Sequence, residues 1–155
     1  MAQNRSKKAT VAVFADAQNV SLFRYSCDIL SFANSLGDAP CLYAYHHWRS
    51  ISPKKECKLQ AQNWRCVDIP ATTKNALDKQ LMNDFEDLRR FWEPDILLLI
   101  TNDGDFASMV GDYLGSGRKI IIIGHKGKVS KKLKSLPSIE IYAVEDLHRQ
   151  FFLAA

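Results

Sequence analysis

The chain has 155 residues, a net charge of +4 and 46% hydrophobic residues. This balance is typical of one globular domain with its own core, and it excludes collagen, coiled coil and intrinsic disorder. A membrane span is excluded as well, because the longest apolar runs, residues 96–100 and 120–123, fall far below the ~20 residues that a spanning helix needs. We expect a flexible N-terminus over residues 1–8 and a single domain over residues 9–155.

Six strand-like segments alternate with helix-like segments along the chain. The predicted strands cover residues 11–16, 41–48, 65–69, 95–101, 119–124 and 140–143. Two of them contain uninterrupted apolar runs, which are typical of strands covered on both faces of a parallel sheet. The alternation therefore predicts an α/β fold with three layers and a mostly parallel sheet.

Apolar residues at helical spacing indicate the helices between these strands. One stripe consists of Val20, Phe23, Cys27 and Leu30, and a second of Leu77, Leu81, Phe85, Leu88 and Trp92. A further helix begins near Phe106 and is expected to end at Gly115 or Gly117. Residues 146–152 are predicted to form a short terminal helix.

Four acidic residues occupy positions from which they can meet at one edge of the sheet. Asp16 ends the first strand, Asp103 and Asp105 follow the fourth, and Asp78 begins the helix that leads into the fourth. Open α/β sheets bind ligands at the carboxyl ends of their strands. Carboxylates that converge there repel one another unless a cation neutralises them, and hard divalent cations prefer oxygen ligands. The pattern indicates a metal site suited to phosphoryl chemistry, with Gly104 permitting the turn between Asp103 and Asp105.

No rival chemistry is visible in the sequence. It contains no phosphate-binding glycine loop, no dinucleotide-binding glycine pattern and no nucleophile elbow.

Three sequence blocks, in order, carry a resemblance to a known family. They are VAVFADAQN at residues 11–19, KNALDKQLMND at 74–84, and TNDGDF at 101–106, which is followed by a helix and the strand at 117–124. Together they resemble the NYN domain, specifically the LabA-like branch of the PIN-domain nuclease superfamily. Asn102 stands where the family usually has glycine, and Gln18 where glutamate or glycine is commoner.

The resemblance implies a PIN-like, Rossmann-type sheet of order 3-2-1-4-5, to which residues 140–143 would add a sixth edge strand. It also implies a ribonuclease that uses Mg²⁺ or Mn²⁺ and a metal-activated water to hydrolyse RNA. The catalytic residues would be Asp16, Asn19, Asp78, Asp103 and Asp105, and the four aspartates among them would bind the metal.

Each candidate also has an ordinary structural explanation. Asp16 is placed to cap a helix, and Asp78 would favour the positive end of its helix dipole. Asn19 is equally an N-cap of the first helix or a residue that positions water. Asp84 lies six residues after Asp78, about 120° around the helix, so we expect it outside the site.

Basic residues without any acid occupy the segment from residue 117 to residue 134. Lys126, Lys128, Lys131 and Lys132 are the candidates for contact with an RNA backbone, and the alternative is a solvated surface. His46, His47 and Trp48 end the second strand, where packing at the end of the sheet is favoured over stacking on bases.

The favoured function is a metal-dependent ribonuclease with RNA as its partner. A non-catalytic regulator that binds RNA or protein, through a homodimer or a protein partner, is the alternative. A hydrolase of small phosphorylated molecules fits less well, because the basic segment is longer than a small substrate needs. Four cysteines without metal-site spacing predict reduced thiols and a cytoplasmic location.

Overall fold

The strands of the protein form one parallel sheet. A computed structural model describes residues 6–70 and 75–148. The strands in this part of the chain are β1 (Thr10–Asp16), β2 (Asp38–His46), β3 (Arg65–Asp68), β4 (Ile96–Ile100), β5 (Lys119–Gly124) and β6 (Glu140–Ala143). Their order is β3-β2-β1-β4-β5-β6, and every neighbouring pair is parallel. The predicted fold class and strand order are confirmed, with β6 as the sixth edge strand.

Helices cover both faces of this sheet. They are α1 (Leu22–Leu36), α2 (Pro53–Ala61), α3 (Ala76–Phe91), α4 (Ala107–Gly115) and α5 (Lys131–Lys134), with 3₁₀ helices at Trp48–Ser50, Gly104–Phe106 and Val144–Asp146. Successive residues of a strand point to opposite faces of its sheet. Val11 and Val13 of β1 accordingly pack into the core that includes α1, whereas Ala12 and Phe14 pack into the core that includes α3 and α4.

The register of the central strands determines where functional side chains meet. Ala15 of β1 pairs with Ile100 of β4, and Ile100 pairs in turn with Ile123 of β5. Asp16 pairs with Tyr45 of β2 on the other side. The segments that leave β1, β4 and β5 therefore emerge side by side at one carboxyl edge.

The predicted stripe of α1 was wrong by one position. Its buried residues are Leu22, Ser26, Ile29, Phe32 and Ala33, whereas Phe23 and Cys27 are exposed. The buried stripe includes a polar residue, Ser26, which a search for apolar residues does not select. The Ser26 hydroxyl is buried because it accepts a hydrogen bond from Trp64 Nε1 at 2.8 Å and donates one to Gln62 Oε1 at 2.6 Å. The stripe predicted for α3 is confirmed at Leu77, Leu81 and Phe85, which are all buried.

Parts of two predictions fall outside the described residues. The predicted flexible N-terminus includes residues 1–5, and the predicted terminal helix over residues 146–152 includes residues 149–152, all of which lie outside the described residues. Within residues 6–70 and 75–148, every helix is too short or too polar to traverse a lipid bilayer.

Candidate metal centre

Acidic side chains gather at the carboxyl edge of the sheet. Asp16, Asp78 and Asp103 line a cleft of about 290 Å³ beside β1 and α3, which we call the acidic cleft. One carboxylate oxygen from each of Asp78, Asp103 and Asp105 lies within 4.8 Å of the other two, and Asp78 and Asp103 line the cleft while Asp105 is exposed beside it. These three residues form the acidic trio. Helix α3 and the turn after β4 thus bring together side chains that are far apart in sequence.

The turn after β4 is held by its own side chains. The Thr101 hydroxyl accepts a hydrogen bond from the Asp103 amide at 3.1 Å, and Asp103 Oδ1 accepts one from the Asp105 amide at 2.9 Å. Asp103 is the N-cap of the 3₁₀ helix that follows, so short-range hydrogen bonds place two carboxylates of the trio.

Gly104 in this turn allows a close approach that the sequence did not predict. Positive φ angles among the described glycines occur at Gly117 and Gly127, not at Gly104. A Cβ atom at Gly104 would instead overlap with Ser130 Oγ and lie 3.2 Å from Lys132 Cβ. The glycine therefore permits close packing of the segment that follows β5, and not a left-handed backbone.

Asp78 carries an unfavourable negative charge in the protein without metal. Its side chain is buried, with the residue 7% exposed. Burial raises its pKa to about 6, and the carboxylates of Asp103, Asp16 and Asp105 add to that rise by repulsion. A divalent cation would relieve both effects, and an all-oxygen set of ligands suits Mg²⁺ or Mn²⁺. The residues present therefore fit such an ion.

Asp16 lines the same cleft but does not belong to the trio. Its two oxygens accept hydrogen bonds from the Gln18 and Asn19 amides, the Asn19 side chain and the Thr101 hydroxyl. Burial raises its pKa, although these hydrogen bonds oppose the rise. The residue thus fixes the loop after β1 while adding negative charge to the cleft.

Asn19 is exposed and points back at this carboxylate. Its Nδ2 donates to Asp16 Oδ2 at 2.6 Å. The N-cap of α1 is Ser21, whose hydroxyl accepts from the Arg24 amide, so the alternative role of Asn19 as helix cap was wrong. Asn19 holds Asp16 in place and lines the cleft itself.

Asp84 lies away from the trio, as its helical position predicted. It accepts hydrogen bonds from the Tyr45 hydroxyl and from Gln80 Nε2, each at 2.8 Å. These contacts lie in a separate depression that also includes Tyr43 and Arg65.

Asn102 has a structural role that its sequence position did not reveal. Its side-chain oxygen accepts a hydrogen bond from the His125 amide at 2.7 Å, and its backbone oxygen accepts one from the Ser130 amide at 2.9 Å. Asn102 thereby ties the segment after β4 to the segment after β5. The close contact between these two segments requires glycine at position 124. A Cβ at Gly124 would lie 2.6 Å from Asn102 Oδ1 and 2.9 Å from the Thr101 carbonyl oxygen.

The predicted basic residues lie on the segment that this link holds. Lys126, Lys128, Lys131 and Lys132, which we call the lysine strip, are all exposed. Lys132 packs its Cβ beside Gly104, at the base of the trio's turn. Lys126 Nζ lies 4.0 Å from Asp146 Oδ2. Through Lys132, the strip therefore reaches the turn that carries Asp103 and Asp105.

The residues at the end of β2 pack mainly against the sheet, as favoured. Trp48 is 5% exposed, and its Nε1 donates to the Ala44 carbonyl oxygen at 3.1 Å. His47 Nδ1 lies 2.7 Å from the Ile69 carbonyl oxygen.

Comparison with known proteins agrees with this fold. The family model of the NYN domain matches residues 10–143, which is most of the chain. The chain therefore belongs to the NYN domain family. No curated protein matches it significantly.

One similar solved structure is the crystal structure of a protein of unknown function from Vibrio parahaemolyticus. Its TM-score is 0.74 at 18% sequence identity, and the alignment covers 94% of this chain and 98% of that one. At this identity the likeness concerns the fold alone.

Proposed function

We propose that this NYN protein is a ribonuclease that depends on a divalent metal ion. The observation that carries the proposal is the acidic trio, which sets three carboxylates within 4.8 Å of one another at the carboxyl edge, two of them in the cleft. Carboxylates this close repel one another, and a bound cation would relieve that repulsion. The nuclease superfamily to which NYN domains are related supports phosphodiester hydrolysis as the reaction.

Each residue has a distinct part in this proposal. Asp78, Asp103 and Asp105 would hold Mg²⁺ or Mn²⁺, and Asp16 would add charge beside them. Such an ion supplies Lewis-acid stabilisation of a phosphate and lowers the pKa of water. Asn19 keeps the Asp16 carboxylate oriented through its 2.6 Å hydrogen bond.

RNA is the proposed substrate because the lysine strip reaches the turn that carries two carboxylates of the trio. Exposed lysines neutralise successive phosphates of a polyanion without regard to its sequence. A small phosphorylated substrate would need only the part of that charge nearest the trio. A cytoplasmic location stays a prediction, and the free thiols of all four cysteines are in accord with it.

Cleavage of an end-labelled single-stranded RNA tests the proposal. Wild type should cleave in Mg²⁺ or Mn²⁺, EDTA should stop the reaction, and Asp103→Asn should abolish it. Asp112→Asn removes the same charge from an exposed position on α4 and should cleave like wild type. A folded, metal-saturated wild type that leaves RNA intact would overturn the proposal and favour the non-catalytic regulator.

A further inference from the structure

A second pocket adjoins the acidic cleft at the same edge of the sheet. It has a volume of about 370 Å³ and lies among α1, α2 and the segment after β2. Gln18 and Asn19 line both this pocket and the cleft. A ligand that occupies one therefore lies next to a ligand that occupies the other. We call this second site the aromatic pocket.

Its walls combine apolar and aromatic side chains. Leu22, Trp48 and Leu59 are almost fully buried and contribute apolar surface, while Phe23 stands at the side with 44% of its surface exposed. The volume is at the small end of the ~300–1,000 Å³ that small-molecule sites occupy. A flat, mostly apolar ring of modest size fits such a space.

The exposed ring of Phe23 is surrounded by positive charge. The ammonium groups of Lys55 and Lys58 on α2 lie 5.0 and 5.2 Å from its centroid. Lys55 also lines the pocket itself. These cation–π contacts hold the lysines beside the ring, and their charge favours the anionic backbone of a ligand whose aromatic ring stacks on Phe23.

Two histidines supply polar groups to the same pocket. Nδ1 of His46 is buried and, among the described residues, has no hydrogen-bond partner. Buried polar atoms are normally paired, so this nitrogen is available to a ligand after a turn of the ring. His125 is oriented by a 2.5 Å contact between its Nδ1 and Glu145 Oε1, which leaves Nε2 as its other polar atom. The edge of a nucleobase carries donors and acceptors suited to such groups.

We propose that the aromatic pocket binds one unpaired nucleobase of the RNA strand whose neighbouring phosphate lies in the acidic cleft. This inference rests on the proposed function and names its substrate class as single-stranded or locally unpaired RNA. A base within a duplex is stacked between its neighbours, so its face cannot reach Phe23 without unpairing. Because Gln18 and Asn19 line both sites, a base in the pocket lies close to a phosphate in the cleft.

The test measures binding without cleavage. Asp103→Asn is used as the background, and the probe is a single-stranded RNA that carries 2-aminopurine, whose fluorescence is quenched by stacking. Phe23→Ala should weaken binding by roughly 5- to 100-fold, the range for loss of one stacked base, and should relieve the quenching. Phe91→Ala is the matched control, because Phe91 is a 90% exposed phenylalanine on α3. It should change neither quantity.

Duplex RNA and a second variant complete the test. A blunt duplex should bind more weakly than the single strand and should respond little to Phe23→Ala. Lys55→Gln should weaken the single-strand complex in the same direction. Equal effects of Phe23→Ala and Phe91→Ala, or duplex binding as tight as single-strand binding, would overturn the inference.

The two proposals can fail independently. If wild type cleaves RNA but Phe23→Ala does not change binding, the ribonuclease proposal stands and base binding in the aromatic pocket is overturned. If quenching depends on Phe23 but wild type does not cleave RNA, base binding in the aromatic pocket is supported and the ribonuclease proposal is overturned.

Discussion

The acidic cleft and the aromatic pocket share Gln18 and Asn19, yet they are built in different ways. Two of the three carboxylates in the trio come from one short turn after β4, and that turn is fixed by its own hydrogen bonds. The aromatic pocket is assembled from α1, α2 and the ends of β2 and β5. The turn that carries two of the carboxylates is therefore encoded locally, whereas the pocket depends on how these four segments pack with the loop after β1.

The two regions also differ in electrostatics. The cleft buries and concentrates negative charge, so that burial, with repulsion from the neighbouring carboxylates, raises the pKa of Asp78 to about 6, whereas the pocket carries lysines around an exposed ring. A cation bound in the cleft would offset the negative charge of its carboxylates. An RNA strand that crosses both regions would bring phosphates to that cation and to the lysines of the pocket. The contrast illustrates how one edge of a sheet can carry adjacent sites suited to a phosphate and to a base.

The largest expected effect separates two aspartates of α3. Asp78→Asn should lower the rate of RNA cleavage by about 100-fold or more, since loss of a metal ligand removes roughly 3 kcal/mol of transition-state stabilisation. Asp84→Asn makes the same change on the same helix and keeps an oxygen for the Tyr45 hydroxyl. It should remain within about threefold of wild type. Similar losses in both variants, measured under single-turnover conditions, would contradict the assignment of the trio.

A dependence of stability on pH follows from the same carboxylate. The pKa of Asp78 in the folded protein is about 6, against an ordinary value of 3.8. The folded state thus holds a proton that the unfolded state has lost. The free energy of unfolding without metal should fall as the pH rises from about 4 to about 6 and then level off, by at most about 3 kcal/mol.

Urea unfolding between pH 4 and pH 7 measures this effect as the difference between wild type and Asp78→Asn. The variant cannot ionise at this position, so its advantage over wild type should grow across that range. Saturating Mg²⁺ or Mn²⁺ should reduce the advantage, because a cation favours the ionised form. A constant difference at all pH values would show that the Asp78 carboxyl titrates normally.

Strand-end patterns were enough to predict the cleft. The apolar runs of β4 and β5 fixed the centre of the sheet, and acids directly after β1 and β4 had to meet at its carboxyl edge. The individual hydrogen bonds of Asp16, which keep it outside the trio, depend on the conformation of residues 17–20. No spacing rule describes that conformation.

The aromatic pocket was beyond sequence reasoning for a physical reason. Phe23 was placed in the core stripe because it is apolar, and the buried Ser26 was passed over because it is polar. In the structure, Ser26 lies on the buried face of α1, because Trp64 and Gln62 satisfy its hydroxyl. Phe23 therefore faces outward. The two partners of Ser26 lie more than 35 residues away, so the helix alone could not reveal them.

The lysine strip provides a smaller effect, on affinity. Lys131→Gln with Lys132→Gln should weaken binding of single-stranded RNA about tenfold at moderate salt and lower the slope of log affinity against log salt by roughly 1.4. Lys8→Gln removes an exposed lysine just before β1, at the opposite edge of the sheet, and should leave that slope unchanged. Fluorescence anisotropy at several salt concentrations measures both slopes. An unchanged slope in the double variant would place the RNA elsewhere.

The smallest effect concerns the link between the cleft and the strip. Asn102→Ala removes the acceptor of the His125 amide and should lower the free energy of unfolding by about 1 kcal/mol. Asn83→Ala, an exposed asparagine on α3, should cost nothing. Because Asn102 also positions the segment that carries the lysines, its loss should weaken RNA binding more than it slows cleavage at saturating RNA. Chemical denaturation, binding and kcat measured on the same two variants separate these effects, and a fall in kcat with unchanged affinity would show that Asn102 serves the trio instead.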